Sequence, residues 1–242
     1  AEAPLTGMPW RDDPVPAMTR DLAHHGAMTT TLHTRAAALQ TELRYLALGD
    51  SYTIGEAVDE AGRWPMRLAR LLRAEGIPLA DPRIVAATGW TTDELDAAIT
   101  AAEPLGTHDF VSLLIGVNNQ YRGRGMEEYR AQFAALLWRA VGFAGNRPAR
   151  VLALSIPDWG VTPFAAQSGR DTAQIARELD AYNLAAREVC AQRGVAFVDI
   201  TLLSRSRGAE PAMLADDGLH PSAMMYAEWA RLAFPVAHHL LA

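Results

Sequence analysis

Two short segments hold the residues best suited to nucleophilic chemistry. Gly49-Asp50-Ser51 presents a serine straight after an apolar run, and Asp216-Asp217-Gly218-Leu219-His220-Pro221 presents a histidine late in the chain. A serine hydroxyl is a weak nucleophile at neutral pH and needs a neighbouring base. Imidazole is the usual base, with a carboxylate fixing its tautomer and stabilising the imidazolium that forms. Seven histidines compete for that part. His24 and His25 fall in an irregular N-terminal region and His33 in a polar segment, while His238 and His239 lie beside the C-terminus. His108 precedes an apolar run, which puts it at the wrong end of a strand. Only His220 stands in a loop directly before a helical pattern, with Gly218 and Pro221 to fix its course. Each segment alone has a plainer explanation: Ser51 as a helix N-cap, and His220 as a surface residue of a capping loop. Gly49-Asp-Ser-Tyr-Thr53 also departs from the G-x-S-x-G nucleophile elbow, because position 53 is threonine.

What must position these residues is an alternation of strands and helices. Near-continuous apolar runs at residues 43–49, 83–89, 109–116, 150–156 and 196–200 suit a parallel sheet buried on both faces. Helical stripes separate them. Trp64, Leu68, Leu71 and Leu72 form one, with Gly76 as its stop. Thr91-Thr-Asp-Glu94 has the form of a capping box before Leu95 and Ile99. Tyr129, Phe133, Leu136, Leu137 and Val141 mark a third, and Ile175, Leu179, Tyr182, Ala186 and Val189 a fourth. The fifth starts at Ser222 and carries Met225, Trp229 and Leu232, with Pro235 as its expected kink or end.

Residues 1–20, with Pro4, Pro9, Pro14 and Pro16, read as an irregular arm. Ala36, Leu39 and Leu43 have helical spacing within residues 21–44. The expectation is therefore a single α/β domain over residues 21–242, a three-layer α/β/α sandwich around a mostly parallel five-stranded sheet. Ligands of such sheets bind beyond the carboxyl ends of the strands. That edge gathers Gly49-Asp50-Ser51, Thr88-Gly89, Gly116-Val117-Asn118-Asn119 and Ile156-Pro-Asp158-Trp159-Gly160.

Taken together, these blocks resemble the SGNH hydrolases, also called the GDSL esterase/lipase family. Gly49-Asp50-Ser51-Tyr52-Thr-Ile-Gly55 is similar to its first block, Gly89 to its second, Gly116-Val117-Asn118 to its third and Asp217-Gly-Leu-His220 to its last. They occur in family order and span residues 49–220. Tyr52 replaces the leucine of the nominal GDSL sequence at a position expected not to touch the chemistry. Asn119 stands where the third block often has aspartate. Residues 159–169 and the N-terminal arm lie outside the motifs.

The resemblance implies a flavodoxin-like SGNH hydrolase fold and a serine esterase. His220 would take the proton of Ser51, Asp217 would orient His220, and the reaction would pass through an acyl-enzyme. The backbone N–H groups of Ser51 and Gly89 and the Asn118 amide would form the oxyanion hole. Glycine at 89 fits the close approach of backbone to an oxyanion, and the Asn118 amide donates without competing for a proton. Asp50 and Asn119 are supporting candidates, with a purely structural role for Asp50 equally open.

Substrate preference is expected in the loops beyond the strands. Tyr121, Arg122 and Arg124 follow the asparagine, and Asp158, Trp159 and Phe164 follow the fourth strand. An arginine there would favour an acidic or phosphate-bearing leaving group, against the plainer reading of a solvated surface side chain. Trp159 and Phe164 would wall a small acyl pocket, stack on a sugar or aromatic group, or simply pack the loop. The GVNNQYRG segment is similar to those of bacterial extracellular esterases.

Composition narrows the classes. The chain of 242 residues is 50% hydrophobic and 21% charged, with a formal net charge of −6. Its 22 basic residues are all arginine and are scattered, so no nucleic-acid partner is expected. No apolar run approaches the roughly 18 residues of a membrane span. Cys190 is the single cysteine, which leaves no internal disulfide and no thiolate cluster. His24-His25 lacks an H-E-x-x-H setting and Gly49 opens no P-loop. No metal and no cofactor is expected: a small-molecule ester and water suffice. Secreted, periplasmic and cytoplasmic locations are all compatible with the sequence, and oligomeric state is not legible in it. An esterase for small soluble acyl or acetyl esters leads. A thioesterase, lysophospholipase or carbohydrate deacetylase of the same chemistry follows, and an inactive binding protein on the same scaffold comes last.

Overall fold

Apolar runs become strands here because both faces of the sheet are covered. The structure, a computed structural model, describes residues 41–242. Every position of β1 (Tyr45–Gly49), β3 (Phe110–Leu114) and β4 (Val151–Leu154) is buried. β2 (Arg83–Ala86) and β5 (Ala196–Val198) are less covered and form the edges. The order is β2-β1-β3-β4-β5, with every pair parallel. The chain therefore leaves β1 in one direction for β2 and returns on its other side for β3. Residues beyond the ends of β1 and β3 flank the crevice at this reversal, where an open parallel sheet takes its ligand.

The long connections are helical. α1 (Ser51–Ile54) and α2 (Trp64–Ala74) follow β1, and α3 (Thr92–Ala102) follows β2. α4 (Val117–Tyr121) and α5 (Met126–Phe143) follow β3, and α6 (Pro163–Gln167) and α7 (Thr172–Arg193) follow β4. α8 (Thr201–Arg207) and α9 (Ala223–Leu241) follow β5. α2 packs on α9, while α5 packs on α3 and α7, giving the three-layer α/β/α sandwich that the alternation predicts. The side chains of Trp64 on α2 and of Tyr226 and Trp229 on α9 are fully buried. Cys190 on α7 is also fully buried, and burial pushes its thiol up to about 12. Among the described residues, no helix is long and apolar enough to cross a membrane.

Local signals explain the helix ends. Thr91 and Glu94 make both bonds of the expected capping box. Ser222 accepts from the backbone N–H groups of Met224 and Met225 to start α9. Leu43 departs from expectation, and of the two outcomes expected at Pro235 the helix end does not occur. α9 runs on through Pro235: the proline lies on an exposed face with Arg231 one turn earlier, where water can satisfy the carbonyl that loses its donor. Leu43 belongs to no helix but makes a parallel bridge with Leu79. The predicted arm over residues 1–20, and Ala36 and Leu39, lie outside the described residues.

Candidate active site

β1 delivers Ser51 through a crowded turn. A Cβ at Gly49 would lie 2.5 Å from the carbonyl oxygen of Leu114 and closer still to Thr53, so glycine is required for the close approach. Asp50 then caps α1, its Oδ1 accepting from the Tyr52 N–H at 3.0 Å. Ser51 is the first residue of that helix, where backbone N–H groups have no partner within the helix. The Asp50 carboxyl is fully buried. Burial pushes it up to about 7, against the N–H groups of Tyr52, Gly116 and its own residue, which favour the charged form.

Gly89 lies three residues beyond β2 and has φ +87°, a conformation that L side chains rarely adopt. A Cβ there would meet only the Arg122 guanidinium, at 3.8 Å. Backbone conformation, not crowding within the protein, is thus what selects glycine here. Gly116 has both reasons: φ is +131°, and a Cβ would lie 2.6 Å from the Tyr129 ring. It opens α4, which carries Asn118 and Asn119. Asn118 Nδ2 donates to the Trp90 carbonyl at 2.9 Å, which leaves its second hydrogen free. Buried Asn119 accepts from the Thr92 N–H at 3.0 Å and donates to the Thr92 hydroxyl at 2.7 Å. It joins α4 to the start of α3.

The His220 loop is pinned at both ends. Leu214 pairs with Pro221, Ala215 N–H donates to the His220 carbonyl at 2.8 Å, and Gly218 takes φ +66°. Asp217 Oδ2 lies 2.6 Å from His220 Nδ1, and Oδ1 accepts from the N–H groups of Leu219 and His220 at 2.9 Å each. Burial alone would raise the Asp217 carboxyl. The His220 side chain and the two backbone donors outweigh that and hold it below the usual carboxylate range. The Tyr52 ring stands edge-on to His220, centroids 5.9 Å apart, and rests in turn on Trp229.

These segments enclose a cavity of about 250 Å³ lined by Ser51, Gly89, Asn118 and His220. Ser51 and His220 face it without a direct hydrogen bond between them. Of the expected pocket residues, Tyr121, Trp159 and Phe164 form its aromatic wall. Tyr52, Thr88, Val117 and Leu219 also line it, and none of these was singled out from the sequence as a pocket residue. Gln120 is a further omission: its Oε1 accepts from Trp159 Nε1 at 2.9 Å, while its Nε2 donates to Glu178 at 2.7 Å. The wall is tied to the histidine loop by the Phe164 N–H, which donates to the Gly218 carbonyl at 3.1 Å.

Three expected pocket residues lie elsewhere. Asp158 is buried with its Oδ2 on Arg205 Nε at 2.8 Å and its Oδ1 on the Gly160 N–H, because a buried carboxylate needs both a cation and donors. Arg124 spans Glu128 and Asp93 at the surface. Arg122 turns back onto the Gly89 carbonyl at 2.6 Å and onto Glu94 at 3.1 Å. Asp50 and Asn119 sit behind the cavity wall rather than in it.

Known proteins share this fold. Residues 47–228 match the GDSL-like Lipase/Acylhydrolase family. No curated protein sequence matches the chain. Among solved structures, TesA superposes with a TM-score of 0.64 at 21% identity, over 82% of this chain and 99% of that one. The lipase/acylhydrolase from Enterococcus faecalis gives 0.60 at 20% identity, over 83% and 98%. Axe2, an acetylxylan esterase from Geobacillus stearothermophilus, gives 0.61 at 20% identity, over 81% and 94%. These likenesses establish a common fold. With the family match extending over most of the sequence, the chain belongs to the GDSL-like lipase/acylhydrolase family and is a carboxylic ester hydrolase.

Proposed function

We propose that this hydrolase acts on small, soluble acyl or acetyl esters through Ser51, His220 and Asp217. His220 Nε2 takes the hydroxyl proton as Ser51 Oγ attacks the ester carbonyl, and Asp217 accepts a hydrogen bond from Nδ1–H of the resulting imidazolium without taking its proton. The carbonyl oxygen becomes an oxyanion that accepts from the Ser51 and Gly89 N–H groups and the free hydrogen of Asn118 Nδ2. Each such donor is worth about 3–4 kcal/mol in the transition state. The imidazolium then protonates the departing alkoxide, leaving the acyl group on Ser51. Water enters, loses its proton to His220, and releases the acid. No further cofactor has a part in this sequence.

The observation that carries the proposal is the cavity itself. It joins a hydroxyl, an imidazole held by a carboxylate, the Gly89 loop and the Asn118 amide of α4 in one space of about 250 Å³. That volume is below the usual range for drug-sized ligands, about 300–1,000 Å³, and suits a short acyl chain. A carbohydrate deacetylase is the favoured second reading, because Tyr121 and Phe164 are exposed at the mouth where a sugar leaving group would rest.

The test is hydrolysis of p-nitrophenyl esters from acetate to palmitate, with Ser51→Ala and His220→Ala as controls. Fastest turnover on the shortest chains and loss of activity in both variants are expected. Fastest turnover on palmitate would overturn the small-acyl reading, and fully active variants would overturn the assignment of the nucleophile and base. Acetylated sugars hydrolysed faster than p-nitrophenyl acetate would favour the second reading.

A further inference from the structure

Gly89 has a problem that its own backbone does not solve. Glycine rotates more freely than any other residue, yet an oxyanion donor must hold one direction to within a fraction of an ångström. Here groups on α4 and at its C-terminal cap supply the restraint. Arg122 bonds the Gly89 carbonyl at 2.6 Å, Asn118 bonds the Trp90 carbonyl at 2.9 Å, and Asn119 accepts the Thr92 N–H at 3.0 Å. α4 and Arg122 just past its end therefore hold the Gly89 loop and the start of α3 at three points, residues 89, 90 and 92.

Arg122 is itself anchored. Its second terminal nitrogen lies 3.1 Å from Glu94 Oε1, and the other oxygen of Glu94 accepts the Thr91 N–H at 2.8 Å in the capping box. The planar guanidinium thus spans a carboxylate fixed to the start of α3 and a carbonyl fixed by a left-handed glycine. Lysine, a point charge on a flexible stem, cannot hold both directions at once. The Arg122–Glu94 pair is about two-fifths exposed on both sides, and pairs so exposed contribute little to stability. Its geometry has more consequence for the loop than for the fold.

We propose that Arg122 is a positioning residue for the oxyanion hole: it holds the Gly89–Trp90 peptide, and through the turn in which the Trp90 N–H donates to the Ala87 carbonyl it restricts rotation of the Thr88–Gly89 peptide, which carries the Gly89 N–H. It contacts no reacting atom. This rests on the catalytic reading above, and its failure would leave that reading standing. With Arg122 removed, Gly89 samples other backbone rotations, the transition state loses one donor for part of the time, and ground-state binding of ester is little changed.

The experiment compares Arg122→Ala, Arg122→Lys and Glu94→Gln with wild type on p-nitrophenyl acetate. Thermal midpoints, pH profiles and the rate of Ser51 labelling by an organophosphonate are measured on the same samples. Arg122→Ala is expected to lower kcat by about 10- to 100-fold, less than outright loss of a donor, with KM changed less than about threefold. The labelling rate should fall in parallel, since the phosphonyl oxygen occupies the same hole. The pH-profile midpoint should stay at the wild-type value, and guanidinium ion at millimolar concentration should restore part of the rate. Lysine should rescue poorly. Glu94→Gln keeps the capping acceptor and loosens only the anchor, so it should fall between wild type and Arg122→Ala.

A kcat for Arg122→Ala within twofold of wild type would overturn the proposal. So would a loss shared by kcat, KM and thermal midpoint that guanidinium does not relieve, because it would mark a general structural role. Failure of the organophosphonate to label wild-type Ser51 is the separate result that would strike the catalytic reading.

Discussion

Asp217 Oδ2 lies 2.6 Å from His220 Nδ1 while its Oδ1 accepts two backbone N–H groups of the same loop. One carboxylate therefore sets both the loop's shape and the ring's orientation. In Asp217→Asn the amide oxygen can still accept the backbone donors, but the amide nitrogen then faces Nδ1 and selects the wrong tautomer. We expect a folded variant with kcat reduced on the order of 10³- to 10⁴-fold. Steady-state hydrolysis of p-nitrophenyl acetate with a circular-dichroism melt checks both halves.

Asp50 ties stability to pH. Its carboxyl is raised to about 7 in the fold, so between about 4 and about 7 the folded state binds more protons than the unfolded state. The slope of stability with pH is negative in that window, and this group's contribution is lost as pH rises through it. Asp50→Asn retains the helix cap, since asparagine caps as well as aspartate, and cannot ionise. Urea melts at pH 5 and pH 8 should show the variant losing less stability between the two than wild type. Equal losses would refute the assignment.

Trp159 walls the cavity and is almost fully buried, with its indole nitrogen held by Gln120. Trp159→Ala should cost about 3–5 kcal/mol of stability. It should also move the chain-length optimum toward longer acyl groups by opening the wall. Denaturant titration and the p-nitrophenyl series measure the two effects. Unchanged chain-length preference would remove Trp159 from substrate selection.

Asn119 bonds both the N–H and the hydroxyl of Thr92 from its buried position. Asn119→Ala strands the Thr92 N–H, a loss of about 1–3 kcal/mol, and frees the start of α3 from α4. Stability and kcat should fall together, in contrast to Arg122→Ala. A variant with an unchanged denaturation midpoint would show that this buried bond contributes nothing.

Much of this was legible in the residues. Leu46, Leu48, Val111, Leu113 and Leu152 are apolar because both faces of their strands are covered, and continuous apolarity reports that directly. Thr91 and Glu94 announced their capping box because its two partners are local in sequence. The carboxyl edge of the sheet followed from the alternation of elements.

What escaped is non-local. Arg122 reaches across 33 residues to Gly89, and Arg205 across 47 to Asp158. A long charged side chain after a strand therefore says nothing of which way it will turn. Tyr52 was set aside as remote from the chemistry, yet its ring supports His220. Pro235 does not end α9 because its penalty depends on whether the orphaned carbonyl meets water, which a helical pattern does not state.

The burial of Cys190 has a practical side. The only thiol in the sequence lies within the packed α7 layer and is held protonated far above neutrality, so thiol-directed reagents find nothing to attack on the folded molecule. A cysteine placed at exposed Ala149, just before β4 and at the opposite end of the sheet from the cavity, becomes a unique attachment point. A dye, spin label or solid support joined there reports on or immobilises the enzyme while leaving its mouth open to esters.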